Sequence, residues 1–167
     1  RIRIFLTGLL FVGIFGLNNA VFGSLPYDDA GSSFEKEAGY VQIPSEVVFI
    51  DPSVPEIEMI VAQLPQGTEV VRLSPGVDGV AQISAHLAKR RDLSAVHIIS
   101  HGNAGYLFLN GKRIDGDFLR DHQKDITSLG GALTENGDIL LYACNLAATD
   151  EGRLFVDRFS GLTDADV

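Results

Sequence analysis

From residue 46 onward, short apolar runs alternate with amphipathic stretches along the chain. The run Val47–Ile50 is continuous, which is typical of a parallel strand covered on both faces. The pattern Ser53-x-x-Glu56 then offers a capping box, and apolar residues follow at helical spacing as far as Leu64. A strand followed by a helix, repeated along the chain, predicts βαβ units.

The same alternation continues to the end of the chain. The fold class it predicts is α/β, a doubly wound and mostly parallel sheet with helices on both faces. A tight-turn signal, Asn110-Gly111, predicts a hairpin within residues 105–114. The remaining predicted elements are strands at 69–73, 95–100 and 138–143, a helix with Val80, Ile83 and Leu87 inward, helices at 118–129 and 150–162, and a strand beginning at Ala165.

The chain is expected to divide into three segments. Residues 1–23 read as a signal peptide, because the uncharged apolar run at 4–17 follows two arginines and precedes small and polar residues. A retained membrane anchor is the less favoured alternative. Residues 24–45 are rich in glycine, serine and charge and read as a linker. Residues 46–167 form the predicted α/β domain, which we expect to continue past residue 167.

Composition narrows the choice of partners and cofactors. The net charge of −9 repels phosphate backbones, and no basic cluster compensates, so nucleic acid is not expected as a partner. The acidity favours solubility outside the cell and leaves weak calcium affinity open. No metal-ligand spacing, glycine-rich phosphate loop or G-x-S-x-G elbow occurs, so no cofactor and no metal site are predicted.

The candidate chemistry lies at the carboxyl ends of two predicted strands. His101 follows the third long strand and Cys144, the single cysteine, follows the fourth. If these strands are neighbours, an imidazole lies beside a thiol, and the thiolate is the reactive form of cysteine. Gly102 allows close approach of its backbone, so its N–H and that of Cys144 are candidate oxyanion donors. A buried, inert Cys144 is the alternative.

Other polar residues near the same rim have weaker signals. Asp51 ends the first strand and either orients His101, lines a substrate pocket or, as is favoured, supports a turn. Asn103 and Asn145 either bind the substrate backbone or serve in turns. The other histidines, His86, His97 and His122, are expected to be packing residues.

The two strand ends also carry a family resemblance. The pairs His101-Gly102 and Ala143-Cys144 resemble the signature blocks of caspase-like cysteine peptidases, the group of caspases, gingipains, legumains, separases and CHAT-domain proteases. Cys144 follows His101 by 43 residues, against roughly 50 in caspases. The stretch Val47–Val167 also resembles an uncharacterised domain found near the N-terminus of very large bacterial surface adhesins and repeat proteins.

The resemblance implies a caspase-type fold, with His101 as general base and acid, Cys144 as nucleophile, and Gly102 with Cys144 as oxyanion donors. Asn145 departs from the residue that usually follows the caspase cysteine, so caspase specificity for aspartate does not transfer. We expect an exported cysteine endopeptidase, secreted or at the bacterial cell surface, whose polypeptide substrate includes its own parent chain, without membrane attachment once the leader is removed. The alternative is a non-catalytic binding module of a surface adhesin.

Overall fold

Parallel strands form the central sheet in the computed structural model of this protein, which describes residues 45–167. The predicted signal peptide and nearly all of the predicted linker lie outside the described residues. The sheet consists of β1 (Glu46–Ile50), β2 (Glu69–Arg72), β3 (Leu93–Ile99) and β7 (Leu133–Tyr142), in the order β2-β1-β3-β7. A smaller antiparallel sheet contains β4 (Gly102–Asn103), β5 (Tyr106–Leu109) and β6 (Lys112–Asp115).

Helices connect the strands and flank the sheet, so the predicted α/β, doubly wound class is confirmed. They are α1 (Ile57–Val61), α2 (Gly79–Leu87), α3 (Gly116–Asp121), α4 (Gln123–Gly130) and α5 (Asp150–Thr163). Right-handed crossovers place α1 on one face, because β2 lies on one side of β1, and α2 on the other face, because β3 lies on the opposite side. Helix α4 packs against both α2 and α5, which makes one continuous helical layer. Within residues 45–167 no helix has the length and hydrophobicity needed to cross a membrane.

The main core lies between the sheet and this helical layer. Alternate residues of β1 and β3 point into it, because successive side chains of a strand face opposite sides. The predicted inner stripe of α2 is buried as expected, and Phe155 and Phe159 of α5 are buried in the same core. Its sheet side is formed by Val47, Phe49, Val96, Ile98 and Ile139.

The first helix is shorter than its sequence pattern predicts. Glu56 precedes α1 with a positive φ of 54° and makes no side-chain cap, so the predicted capping box does not form. The Ser53 side chain instead donates to Asp51, which ends β1. Side chains of this loop therefore satisfy one another, and helical geometry begins only at Ile57.

The predicted helix at 118–129 is in fact two helices. His122 separates α3 from α4 with φ −121° and ψ 34°, values outside the helical region. Its ring stacks on Phe118 at 3.9 Å, and its Nδ1 lies 3.1 Å from the Phe118 carbonyl oxygen. The backbone N–H of His122 donates to the same carbonyl at 2.9 Å, so the ring adds a second contact at the junction, in agreement with the predicted packing role.

Strand β7 is longer than predicted and begins with an irregularity. Leu133 pairs with Leu93, and the register shifts before Ala95 pairs with Asp138. On the other side, Asp138 forms a parallel bridge with Asp166, and the Ile139 N–H donates to the Asp166 carbonyl at 2.8 Å. The strand predicted to begin at Ala165 is therefore represented by this single bridge.

Candidate functional site

His101 and Cys144 lie at the same rim of the sheet, beyond the carboxyl ends of β3 and β7. These strands are hydrogen-bonded neighbours, which confirms the adjacency that the site requires. Their last paired residues are Ile99 and Tyr142, and the Ser100 N–H donates to the Tyr142 carbonyl at 3.0 Å. His101 and Cys144 each follow that pair by two residues, so the fold brings their backbone segments side by side.

Cys144 is exposed and forms no disulfide. Within the described part of the chain, Sγ has no hydrogen-bond partner, and no hydrogen bond joins it to the His101 ring. The alternative of a buried Cys144 is therefore wrong. The structure brings the two residues to one rim without a direct bond between their side chains.

Gly102 is required by close backbone packing beside the two candidate residues. A Cβ atom at this position would lie 2.7 Å from the Tyr106 carbonyl oxygen and 2.8 Å from the Ala143 Cβ. The segment after His101 is thus packed directly on the residue before Cys144. Any larger side chain at Gly102 or Ala143 would push the two segments apart.

The N–H of Gly102 points away from the hairpin. Gly102 pairs with Leu107 across the β4–β5 ladder, and in the next pair the Phe108 N–H donates to the His101 carbonyl at 2.8 Å. Hydrogen-bonded and non-hydrogen-bonded pairs alternate in an antiparallel ladder, so Gly102 occupies a non-bonded pair. Its N–H is directed outward and is available to an acceptor.

The His101 ring is held by a backbone carbonyl from another loop. Its Nε2 lies 3.1 Å from the carbonyl oxygen of Ser53, in the segment between β1 and α1. A carbonyl oxygen only accepts, so Nε2 carries the hydrogen and Nδ1 of the neutral ring presents its lone pair. No group within residues 45–167 bonds to that Nδ1.

This contact coincides with the switch point of the sheet. The connections from β1 and from β3 lead to opposite sides of the sheet, so the switch point lies between the carboxyl ends of these two strands. Ser53 approaches from the β1 side and His101 from the β3 side. General rules for open α/β sheets locate ligand binding at this place.

Asp51 is buried at the end of β1, with 1% of its surface exposed. Its carboxylate accepts hydrogen bonds from the N–H and hydroxyl of Ser53 and from the N–H of Asn110 at 2.6 Å. Asn110 in turn donates its side-chain amide to the carbonyls of Ser74 and Val77. Asp51 therefore has the turn-supporting role that the sequence favours, and it also joins the β1 loop to the hairpin.

Asn103 and Asn145 both occupy turns at the site. The Asn103 side chain accepts from the Ala104 N–H at 2.8 Å. Asn145 has a positive φ of 53°, and its carbonyl accepts from the Ala148 N–H at 3.0 Å. Asparagine tolerates this left-handed conformation better than most residues, so Asn145 turns the chain directly after Cys144.

A cavity of about 200 Å³ lies beside the loop that follows Cys144. The loop is tied to the hairpin by a hydrogen bond from the Gly105 N–H to the Leu146 carbonyl at 3.0 Å. The exposed Leu154 and the buried Phe155 give the cavity an apolar part. Its full lining is Gly105, Gly116, Glu151, Leu154, Phe155 and Arg158.

His97, four residues before His101 in the same strand region, belongs to a separate cluster. Its Nδ1 lies 3.1 Å from the Tyr142 hydroxyl, the two rings stack at 5.9 Å, and Nε2 is 3.4 Å from a Glu46 carboxylate oxygen. Burial, and secondarily the charge of Glu46, raise the pKa of Tyr142 above its ordinary value. His97 thus has the packing role expected for it.

Sequence reasoning missed Ser53 and Asn110 as parts of the site. Ser53 contributes a backbone carbonyl to His101, and Asn110 contributes a backbone N–H to Asp51. Backbone groups carry no residue-type signal, so only the polar cluster Asp51-Pro52-Ser53 after a buried strand hinted at a structured turn. Among the residues described, no three histidine, cysteine, aspartate or glutamate side chains form a metal-binding group.

Comparison with known families gives one match. Residues 47–167 match the model of a family described as a domain of unknown function (DUF4347). The matched range begins in β1 and ends at the last residue, so it contains His101, Cys144 and every strand and helix described above. No curated protein matches the chain.

Proposed function

The chain belongs to the DUF4347 family across its α/β domain, a family whose function is unknown, and we propose that this domain is a caspase-like cysteine endopeptidase. The observation that carries the proposal is the presence of an exposed thiol and a carbonyl-anchored imidazole beyond the carboxyl ends of two neighbouring parallel strands. His101 acts as general base and acid, and Cys144 is the nucleophile. The resemblance of both strand ends to the caspase-like signature blocks supports the same assignment.

The arrangement of the imidazole supports a definite proton route. With Nε2–H donated to the Ser53 carbonyl, Nδ1 accepts the thiol proton of Cys144. The thiolate then attacks the carbonyl carbon of a peptide bond, and the peptide nitrogen leaves with the proton held on Nδ1. Water, deprotonated by the same nitrogen, hydrolyses the resulting thioester and regenerates the thiol.

The tetrahedral intermediates need hydrogen-bond donors for their oxyanion. The outward N–H of Gly102 and the N–H of Cys144 are the proposed donors, since Gly102 is packed on Ala143, directly before the sulfur. Loss of one such donor typically slows catalysis by about a hundredfold or more.

The proposed substrate is an extended polypeptide, including the parent chain of this domain during export to the cell surface. The cavity lined by Leu154 and Phe155 offers an apolar place for one substrate side chain, with Glu151 and Arg158 as its charged edges. Calcium activation, suggested only by the acidity, stays a minor part of the proposal, with a melting shift on addition of calcium as its test.

A second candidate function is supported by the missing bond between the imidazole and the sulfur. A non-catalytic adhesin module that binds through the same rim needs no such bond, and the exposed residues there remain available for contacts. Sites without substrate are often looser than working ones, so the peptidase remains the first proposal.

The distinguishing experiment measures alkylation of Cys144 by iodoacetamide at pH 7. An unassisted thiol is only a few per cent thiolate at this pH, so His101→Ala should slow alkylation by about tenfold if the imidazole activates the sulfur. His122→Ala is the matched control, because that ring packs at the α3–α4 junction. Equal rates in all three proteins would favour the binding module.

Self-processing is tested separately in the full-length parent protein. Cys144→Ala and His101→Ala should each abolish its cleavage, whereas His122→Ala should leave it intact. Normal processing in both site variants would exclude cleavage by this domain.

A further inference from the structure

The feature that extends the site is the buried carboxylate of Asp51. With 1% of the residue exposed, the charge is removed from water, which is costly unless hydrogen bonds replace hydration. Three donors supply them, namely the N–H of Ser53 at 2.9 Å, the Ser53 hydroxyl, and the N–H of Asn110 at 2.6 Å. The same burial argues against direct contact of Asp51 with a substrate.

The donors belong to the two segments that hold His101. Ser53 accepts from the His101 ring through its carbonyl, at 3.1 Å from Nε2. Asn110 belongs to the hairpin that begins directly after His101, and the Phe108 N–H of that hairpin donates to the His101 carbonyl at 2.8 Å. The Asp51 carboxylate therefore holds both Ser53, which contacts the His101 ring, and the hairpin, which contacts the His101 backbone.

We propose that Asp51 is a positioning residue that fixes which nitrogen of His101 is the proton acceptor. By holding Ser53 in its turn, Asp51 keeps a carbonyl acceptor in front of Nε2, so that the hydrogen stays on Nε2 and the lone pair on Nδ1. The catalytic value of this tautomer rests on the proposed peptidase function. The positioning itself does not, since it concerns only the ring and its acceptor.

The variant Asp51→Asn tests this role with little change of shape. A carboxamide has one accepting oxygen and a nitrogen that only donates, so it cannot accept from both Ser53 and Asn110 as the carboxylate does. One of these backbone N–H groups loses its acceptor, and the Ser53 carbonyl is no longer fixed. The control is Asp115→Asn, because Asp115 accepts from the N–H groups of Asp117 and Phe118 at the start of α3, away from His101.

The readout is the tautomer of His101 in the ¹⁵N-labelled full chain at a pH where the ring is neutral. The parent and Asp115→Asn should show hydrogen on Nε2, whereas Asp51→Asn should show a mixture of both tautomers. Alkylation of Cys144 in Asp51→Asn should slow by up to about tenfold, the loss expected for His101→Ala, because part of the population no longer presents the Nδ1 lone pair. A merely structural role would lower the melting temperature and leave the tautomer of the folded protein unchanged.

The outcomes separate this inference from the proposed function. A folded Asp51→Asn protein with an unchanged tautomer overturns the positioning role. An altered tautomer, with alkylation that is indifferent to His101→Ala, supports positioning and contradicts the peptidase. If Asp51→Asn does not fold, Ser53→Gly loosens the same turn with the carboxylate intact, and the tautomer must again become mixed or the inference fails.

Discussion

His97 and His101 stand four residues apart near the end of one strand, and the fold treats them in opposite ways. His97 has only 17% of its side chain exposed, and it is stacked on Tyr142 and bonded to its hydroxyl. His101 is exposed, with one nitrogen anchored to a backbone carbonyl and the other without a partner in the described chain. A histidine ring enclosed by partners stabilises a sheet. A ring with one nitrogen anchored and the other without a hydrogen-bond partner is suited to proton transfer.

The difference arises from where the strands stop. His97 still lies within the ladder, where β1 and β7 lie on both sides and supply Glu46 and Tyr142. His101 lies beyond the last paired residues of β3 and β7, at the point where the chain enters the hairpin. Position relative to the end of pairing therefore separates the two roles.

The largest loss of stability is expected for Gly102→Ala, which adds a side chain to the packed backbone next to His101. The added Cβ would lie 2.7 Å from a backbone oxygen, so the variant should lose about 3 kcal/mol of unfolding free energy, at the upper end of overpacking costs. Urea unfolding measures the loss. Gly161→Ala in α5 meets nothing within 4 Å and should instead gain about 0.5 to 1 kcal/mol. An unchanged stability in Gly102→Ala would show that the rim is looser than described.

Replacing each of the two histidines by alanine in turn should give the next largest difference in unfolding free energy. His97→Ala removes ring packing on Tyr142 and a hydrogen bond, and should lower the unfolding free energy by about 2 kcal/mol. His101→Ala removes an exposed ring and should change it by about 0.5 kcal/mol or less. Denaturant titration of both variants at pH 7 makes the measurement. Equal losses would remove the distinction between a stabilising and a chemical histidine.

Tyr142→Phe should give the smallest change at neutral pH, about 1 kcal/mol, because one hydrogen bond to His97 is lost. Tyr106→Phe is the control, since the Tyr106 hydroxyl makes no hydrogen bond within the described residues. A smaller loss of stability in Tyr106→Phe would assign the loss in Tyr142→Phe to the hydrogen bond with His97.

The stability of Tyr142→Phe should also differ from that of the parent protein in its dependence on alkaline pH. Burial and Glu46 raise the pKa of Tyr142 in the folded protein, so the unfolded chain releases the phenolic proton first. The stability that protonated Tyr142 contributes to the folded protein is complete below about pH 10, and it is lost as the pH rises through the pKa of the folded state. The parent should therefore lose stability above pH 10 more steeply than Tyr142→Phe. Parallel stability curves would contradict a raised pKa of Tyr142 in the folded protein.

Much of the fold follows from the sequence because it depends on local and periodic signals. The continuous apolar runs locate the four parallel strands, the stripe of α2 is buried as its spacing predicts, and Asn110-Gly111 forms the hairpin turn. The helical spacing failed before α1, where the Asp51 side chain accepts from the Ser53 backbone N–H, and at His122, whose backbone angles leave the helical region. A hydrogen bond from a side chain to the backbone, as at Asp51, competes with helix formation and leaves the apolar pattern unchanged.

The sequence by itself determined the order of strands and helices, the residues of the core, and the position of His101 and Cys144 directly after two apolar strands. Only the tertiary structure decided the order β2-β1-β3-β7, which makes β3 and β7 neighbours and places the switch point between β1 and β3. It also decided that a Ser53 carbonyl meets the His101 ring and that Asp51 binds the hairpin. Each of these contacts joins a backbone group to a side chain far away along the chain, and periodicity and propensity describe only neighbours in sequence.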